Sequence, residues 1–151
     1  MRALSFAYFS EHIRHCALAA CRALDEIKIL RLLSSRGDVD QNSVLKIYDY
    51  FYYREHVFIA TEKLGLNLYE QYRRRSGAEP YFTVARLKRV AVQCLTALSF
   101  VHGIGLIHCD LKPENIVMKD ESSCDIKLID FGNSQFLDDE FGTYVQSRAY
   151  R

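Results

Sequence analysis

His108-Cys109-Asp110-Leu111-Lys112-Pro113-Glu114-Asn115 is followed, fifteen residues after Asn115, by Asp130-Phe131-Gly132. Few residue types are needed to move a phosphoryl group from a nucleotide. The reaction asks for a carboxylate that orients and accepts from the attacking hydroxyl, a cation near the transferring group, and oxygen ligands for magnesium. Asp110 suits the first task, Lys112 the second, and Asn115 with Asp130 the third. Two short apolar runs, 116–118 and 126–129, flank a polar turn at Asp120–Ser123. Both are too brief for helices and read as small strands. A hairpin there folds Asp130 back beside Asn115, as two ligands of one metal cluster require. The plain structural alternative makes Asp110 a helix cap and Asp130 a turn residue. Seven positions agree at fixed offsets, which weighs strongly against it.

Upstream, residues 83–102 form the strongest helical pattern. Val84, Leu87, Ala91, Leu95, Leu98 and Val101 fall on one apolar stripe, and Gly103 is placed to cap its end. Residues 66–75 read as a short helix ending in Arg73-Arg74-Arg75, whose charges suit a helix C-terminus better than a nucleic-acid patch. The β-branched and aromatic runs 44–53 and 57–62, joined by Arg54-Glu55-His56, predict an antiparallel hairpin. Residues 11–35 read as a helix through Ile13, Ala17, Ala20, Leu24, Ile27 and Leu30, broken by Ser34–Asp38. A further short apolar run, 105–107, suggests a strand. The order of helix, hairpin, helices and short strands suits an α+β domain.

Composition sets the outer limits. The chain has 151 residues, 49% hydrophobic and 26% charged, with a net charge of +1, which fits one globular domain and excludes disorder. Residues 71–89 are mainly basic and 119–140 mainly acidic, a pattern usual for two solvated faces. Five cysteines without a C-x-x-C pair argue against a disulfide framework and a thiolate zinc site, and point to a reducing, intracellular compartment, cytoplasmic or nuclear. His12, His15 and Cys16 belong to an amphipathic helix end rather than a metal site. No apolar run reaches the length of a membrane span. Leu18-Ala19-Ala20-Cys21 imitates a lipoprotein cleavage site, but Glu11, His12, Arg14 and His15 before it are no apolar signal region.

The two quoted segments resemble the catalytic loop and the magnesium loop of protein kinases. Lys112, two residues after Asp110, resembles the serine/threonine branch. Cys109 stands where arginine is usual, and the chain ends Tyr144-Val145-Gln146-Ser147-Arg148-Ala149-Tyr150-Arg151. That combination resembles the dual-specificity tyrosine-regulated kinases, the DYRK group, particularly their plant-like and Yak-like relatives. The resemblance runs from about Asp25 to Arg151 and leaves 1–24 unassigned. It implies a protein-kinase-like α+β fold covering the helix the family calls αC, the hinge hairpin and the first part of the helical C-lobe, incomplete at both ends. The implied activity is transfer of the ATP γ-phosphoryl to protein hydroxyls with Mg2+, by a serine/threonine or dual-specificity kinase. Protein substrates and ATP are the implied partners, with neither nucleic acid nor membrane expected.

Residue by residue, the resemblance makes Asp110 and Lys112 catalytic and Asn115 and Asp130 magnesium ligands. Glu26 takes the position of the glutamate that pairs with a lysine on the family's third strand; the alternative is a solvent-facing acid beside Lys28. Thr61 resembles the gatekeeper behind the adenine pocket, followed by a hinge of Glu62, Lys63 and Leu64. Val117 resembles the apolar floor under the base and Ile129 a pocket-lining residue, although both would also suit a plain core. The resemblance implies that Tyr144 is phosphorylated by the same molecule. The neutral Cys109 thiol cannot hold that phosphate, so Arg148 and Arg151 are its expected partners.

Departures matter as much. Residues 1–25 contain Arg2, Arg14 and Arg22 but no lysine, the first glycine is Gly37, and no A-P-E-like segment occurs. Three explanations compete. The chain is a piece of a kinase gene product with unrelated sequence at 1–24, which we favour; or a truncated pseudokinase acting as a protein-interaction module; or a nucleic-acid binder through Arg73–Arg75 and the tyrosine-rich 48–53. The isolated chain is expected to be nearly inactive.

Overall fold

The computed structural model describes residues 17–54, 56–74, 81–120, 122–139 and 145–151. Helix α1 spans Ala17–Arg36, so residues 11–16 of the expected helix lie outside the described residues. Its inward face is Ile27, Leu30 and Leu33, spaced three apart, with Ile29 beside them. Leu24, expected on that face, is 46% exposed. The helix ends where Ser34 and Ser35 turn their hydroxyls back onto the carbonyls of Leu30 and Leu32, an alternative to continuing the ladder. Gly37 follows, and a Cβ there would meet the Phe100 ring at 2.8 Å, so the chain passes the next layer at a distance only glycine allows.

The expected hairpin is present as β1 (Ile47–Tyr53) and β2 (His56–Thr61), antiparallel, with an irregularity between Ile47 and Asp49. Phe51 and Phe58 stack across it with centroids 5.0 Å apart. Burial is graded along the hairpin. Its tip is exposed, while Ile59, Ala60 and Thr61 sink into the core and carry the chain to the hinge. Helix α2 (Leu68–Arg74) starts with a reciprocal cap: Asn67 Oδ1 accepts from Glu70 N and Glu70 Oε2 accepts from Asn67 N. Arg73 and Arg74 occupy its last turn, as expected for a helix end, and Arg75 lies outside the described residues.

Helix α3 (Val84–Gly103) is capped by Thr83, whose side chain accepts from Arg86 N. The apolar stripe read from the sequence is largely on its outer side. Val84, Leu87 and Leu95 are 83%, 49% and 66% exposed, and the buried line is Val90, Ala97 and Val101. Gly103 is the last helical residue, and the left-handed conformation that closes the end belongs to Gly105, at φ 77°. Short strands complete the unit: β3 (Leu106–Ile107), β4 (Ile116–Met118), β5 (Ile126–Leu128) and β6 (Gln135–Phe136). β4 pairs with β5, and β3 with β6, both antiparallel. One core joins α1, α3 and the β4–β5 hairpin through Leu30, Leu33, Val101, Leu128 and Phe131.

The corrected register of α1 can be tested by denaturation. Leu33→Ala, at a site 0% exposed, is expected to cost about 2–5 kcal/mol. Leu24→Ala should cost about 0.5 kcal/mol or less, as most surface changes do. Equal losses in urea titrations would contradict the observed inward face.

Candidate active site

The loop after β3 places the chemistry-bearing residues. His108 is buried, packs edge-on against Phe131 at 4.9 Å, and pairs Nε2 with the Ile129 carbonyl at 2.9 Å. Its Nδ1 accepts from Asp110 N at 3.2 Å, which puts the ring proton on Nε2. Burial lowers the imidazole pKa, so the ring is neutral and acts as a fixed strut. Cys109 and Asp130 adopt left-handed backbone, at φ 62° and 63°. Both side chains are thereby set by the loop geometry rather than by a regular element.

Asp110 is 4% exposed and surrounded by donors. Lys112 Nζ lies 2.5 Å from its Oδ2, and the Ser147 hydroxyl donates to Oδ1 at 2.5 Å, with Ser147 N at 3.2 Å. Burial alone would raise this carboxyl, but the bonds from Lys112 and Ser147 outweigh it and hold its pKa below the usual value. The same bond to Asp110 raises Lys112 above an ordinary lysine. At neutral pH the pair is therefore carboxylate and ammonium. Asn115, at the end of a 3-10 turn (Pro113–Asn115), donates from Nδ2 to the Asp110 carbonyl at 2.9 Å. Its Oδ1 takes part in no hydrogen bond among the described residues.

The expected return of Asp130 is realised. Ile129 N donates to the Asn115 carbonyl at 3.0 Å, directly beyond the β4–β5 pairing. A Cβ on Gly132 would lie 3.6 Å from Asp130 Oδ1 and 4.0 Å from Glu26 Oε2, so α1 brings the Glu26 carboxylate to the same corner. Beside it opens a cavity of about 310 Å³, a size suited to a small ligand. Leu45, Leu64, Val117 and Ile129 form its apolar walls, Thr61 and Glu62 its hinge edge, and Glu26 and Asp130 its polar end. Asp110 faces a neighbouring polar pocket with Gly132 and Ser147. The Asp130–Gly132 turn thus stands between an apolar pocket and a carboxylate that binds a hydroxyl. An oxygen-seeking cation such as magnesium fits the Asp130 carboxylate and the Asn115 Oδ1, both hard donors.

A model of the protein kinase domain matches residues 10–151. The chain belongs to the protein kinase domain family. Its relatives include a probable serine/threonine-protein kinase, dyrk2, of Dictyostelium discoideum, 40% identical over 86% of this chain. The human dual specificity tyrosine-phosphorylation-regulated kinase 4 is 38% identical over the same share. This kinase segment spans 14% of the first relative and 25% of the second. A crystal structure of a kinase domain superposes with a TM-score of 0.82 at 29% identity, covering 90% of this chain and 46% of that one. Protein kinases as a family use ATP and magnesium. Among the described residues, no helix is long and apolar enough to cross a membrane.

Of the residues expected at the site, Glu26, Thr61, Glu62, Leu64, Val117 and Asp130 line the cavity, and Asp110, Lys112 and Asn115 form the adjoining cluster. Tyr144 lies outside the described residues. Arg148 opens a 3-10 turn (Arg148–Tyr150), and Arg151 Nε donates to the carbonyls of Val145 and Gln146. Three contacts went unforeseen: Ser147 on Asp110, Gln146 Nε2 on the Leu111 carbonyl, and the Tyr150 hydroxyl on both Glu114 oxygens. All three cross about 35 positions of sequence, and no local pattern announces them.

The lowered Asp110 pKa carries a pH prediction. A carboxyl depressed in the folded state adds stability above its ordinary value of 3.8 and loses it as pH falls through the folded value. Asp110→Asn should therefore show a shallower acid-induced loss of stability than the wild type below about pH 4. Superimposable acid-denaturation curves would contradict the bonding described.

Proposed function

We propose that this segment supplies the phosphoryl-transfer centre of a serine/threonine or dual-specificity protein kinase, acting on protein hydroxyls with ATP. The observation that carries the reading is the Ser147 hydroxyl bonded to Asp110 beside Lys112, since it shows the carboxylate accepting from an aliphatic hydroxyl. Asp110 would orient the substrate hydroxyl and take its proton as the bond to phosphorus forms. Its depressed pKa makes it a positioning acceptor before that moment rather than a strong base. Lys112 would face the transferring phosphoryl, and the apolar walls with Thr61 and the 62–64 hinge would hold the adenine. Asp130 and Asn115 would hold magnesium, which neutralises charge on the phosphates when bound. Glu26 reaches the same polar end of the cavity.

A second reading is a protein-interaction module that keeps the fold without transferring phosphoryl groups. The discriminating experiment replaces the matching segment of the human relative by residues 25–151. The hybrid should phosphorylate a protein substrate, and Asp110→Asn should lower the rate about 10²–10⁴-fold while nucleotide affinity stays nearly unchanged. Asp130→Asn should instead weaken magnesium-ATP binding, since a charged ligand is lost. Equal loss of ATP affinity in both variants would overturn the division of roles. A folded hybrid without transfer activity would favour the module.

A further inference from the structure

We infer that Lys127 is a positioning residue of the nucleotide site, tying the hinge at Glu62 to the strand that delivers Asp130. The inference rests on the proposed reading of the cavity as an adenine-nucleotide site.

Lys127 lies in β5 between Ile126 and Leu128 and is 0% exposed. An isolated buried ammonium is strongly unfavourable, and an aliphatic residue would serve packing alone equally well. The position of its acceptors explains the lysine. Nζ donates to the Val39 carbonyl at 3.0 Å, the Val44 carbonyl at 2.9 Å and Asp40 Oδ1 at 2.9 Å, and lies 3.2 Å from Glu62 Oε1. These acceptors come from two segments distant in sequence, the loop after α1 and the hinge, and the lysine itself from a third. The ammonium joins all three at one point.

Glu62 is held with unusual completeness. Its Oε1 also accepts from Lys46 N at 2.9 Å, and its own N donates to the Lys46 carbonyl at 3.1 Å. The carboxylate is thus directed behind the hinge, towards Lys127, while Thr61 and Leu64 on either side line the cavity. At the other end of the tether, Ile129 and Asp130 follow Lys127 by two and three residues and line the same cavity. The loop itself is bonded to β5, Leu45 N to the Leu128 carbonyl and Leu128 N to the Ser43 carbonyl. One buried charge therefore sets the separation between the hinge edge and the polar end of the pocket. Asp40, whose side chain is 43% exposed, balances the lysine from the solvent side.

The test uses the 151-residue chain, with adenosine and magnesium-ATP as probes, and reads dissociation constant and thermal midpoint for each variant. Glu62→Ala removes the acceptor at the hinge but leaves the hinge backbone. Its adenosine dissociation constant is expected to rise about tenfold, the effect of one charged hydrogen bond. Glu62→Gln keeps an oxygen for Lys127 and should restore affinity to within about twofold. Asp40→Asn should lower the midpoint and leave the adenosine constant within about twofold, because the hinge contact survives. Lys127→Met should match Glu62→Ala; if it does not fold, the Glu62 pair decides. Wild-type affinity in Glu62→Ala, or an equal affinity loss in Asp40→Asn, overturns the inference and leaves Lys127 a stabilising residue only. Failure of the wild-type chain to bind either probe overturns the reading of the cavity, and the inference with it.

Discussion

The peptide of Ile129 is bonded from both sides, and the site depends on that pair of bonds. Its N–H reaches the Asn115 carbonyl at 3.0 Å, and its carbonyl receives the neutral His108 ring at 2.9 Å. The first bond extends the β4–β5 pairing by one step, and the second anchors the loop that begins at His108. Asp130 follows immediately in a left-handed conformation, as does Cys109 on the opposite loop. Such backbone costs of order 1–3 kcal/mol at each residue and persists only where the surroundings over-determine it. Here the surroundings are the buried His108–Phe131 contact and the paired strands.

Upon that frame the charges are arranged by enclosure and pairing. Asp110 is buried but ionised, because Lys112 and Ser147 offset the loss of water. Lys127 is enclosed more completely still, and its carboxylates and carbonyls reach it from separate segments. One lysine thus neutralises the carboxylate that handles the hydroxyl. The other steadies the wall of the pocket where the nucleotide would lie. The two ammoniums are not interchangeable, since one borders solvent and the other has none.

The gathering of Asp110, Lys112, Asn115 and Asp130 was legible in the sequence because they sit in two short segments at fixed spacing. The β4–β5 return was legible for the same reason, as two brief apolar runs around a polar turn. Burial on α3 was not. A helical stripe shows that an apolar face exists, but which flank is covered depends on neighbours contributed by distant segments: of the expected stripe the core kept Val101, and it took Val90 and Ala97 in place of Val84, Leu87 and Leu95. Leu24 on α1 was misplaced by the same argument. Ser147 and Tyr150 escaped because their partners, Asp110 and Glu114, lie across a long excursion of chain. Lys127 read as one cation in an acidic stretch, since alternation in a three-residue strand carries too little signal to mark an inward lysine.

On the proposed function, Asn115 and Asp130 would form one metal-nucleotide corner beside Asp110. Paramagnetic broadening by manganese tests it most directly, since a bound ion quenches nearby resonances in a distance-dependent way. With manganese-ATP added in small amounts to isotope-labelled protein, the Asn115 side-chain amide and the backbone amides of Asp130 and Gly132 should broaden first. Those around Asp40 and Asp125 should stay sharp. Broadening centred on Asp40 and Asp125, or spread evenly over the acidic surface, would rule out that corner.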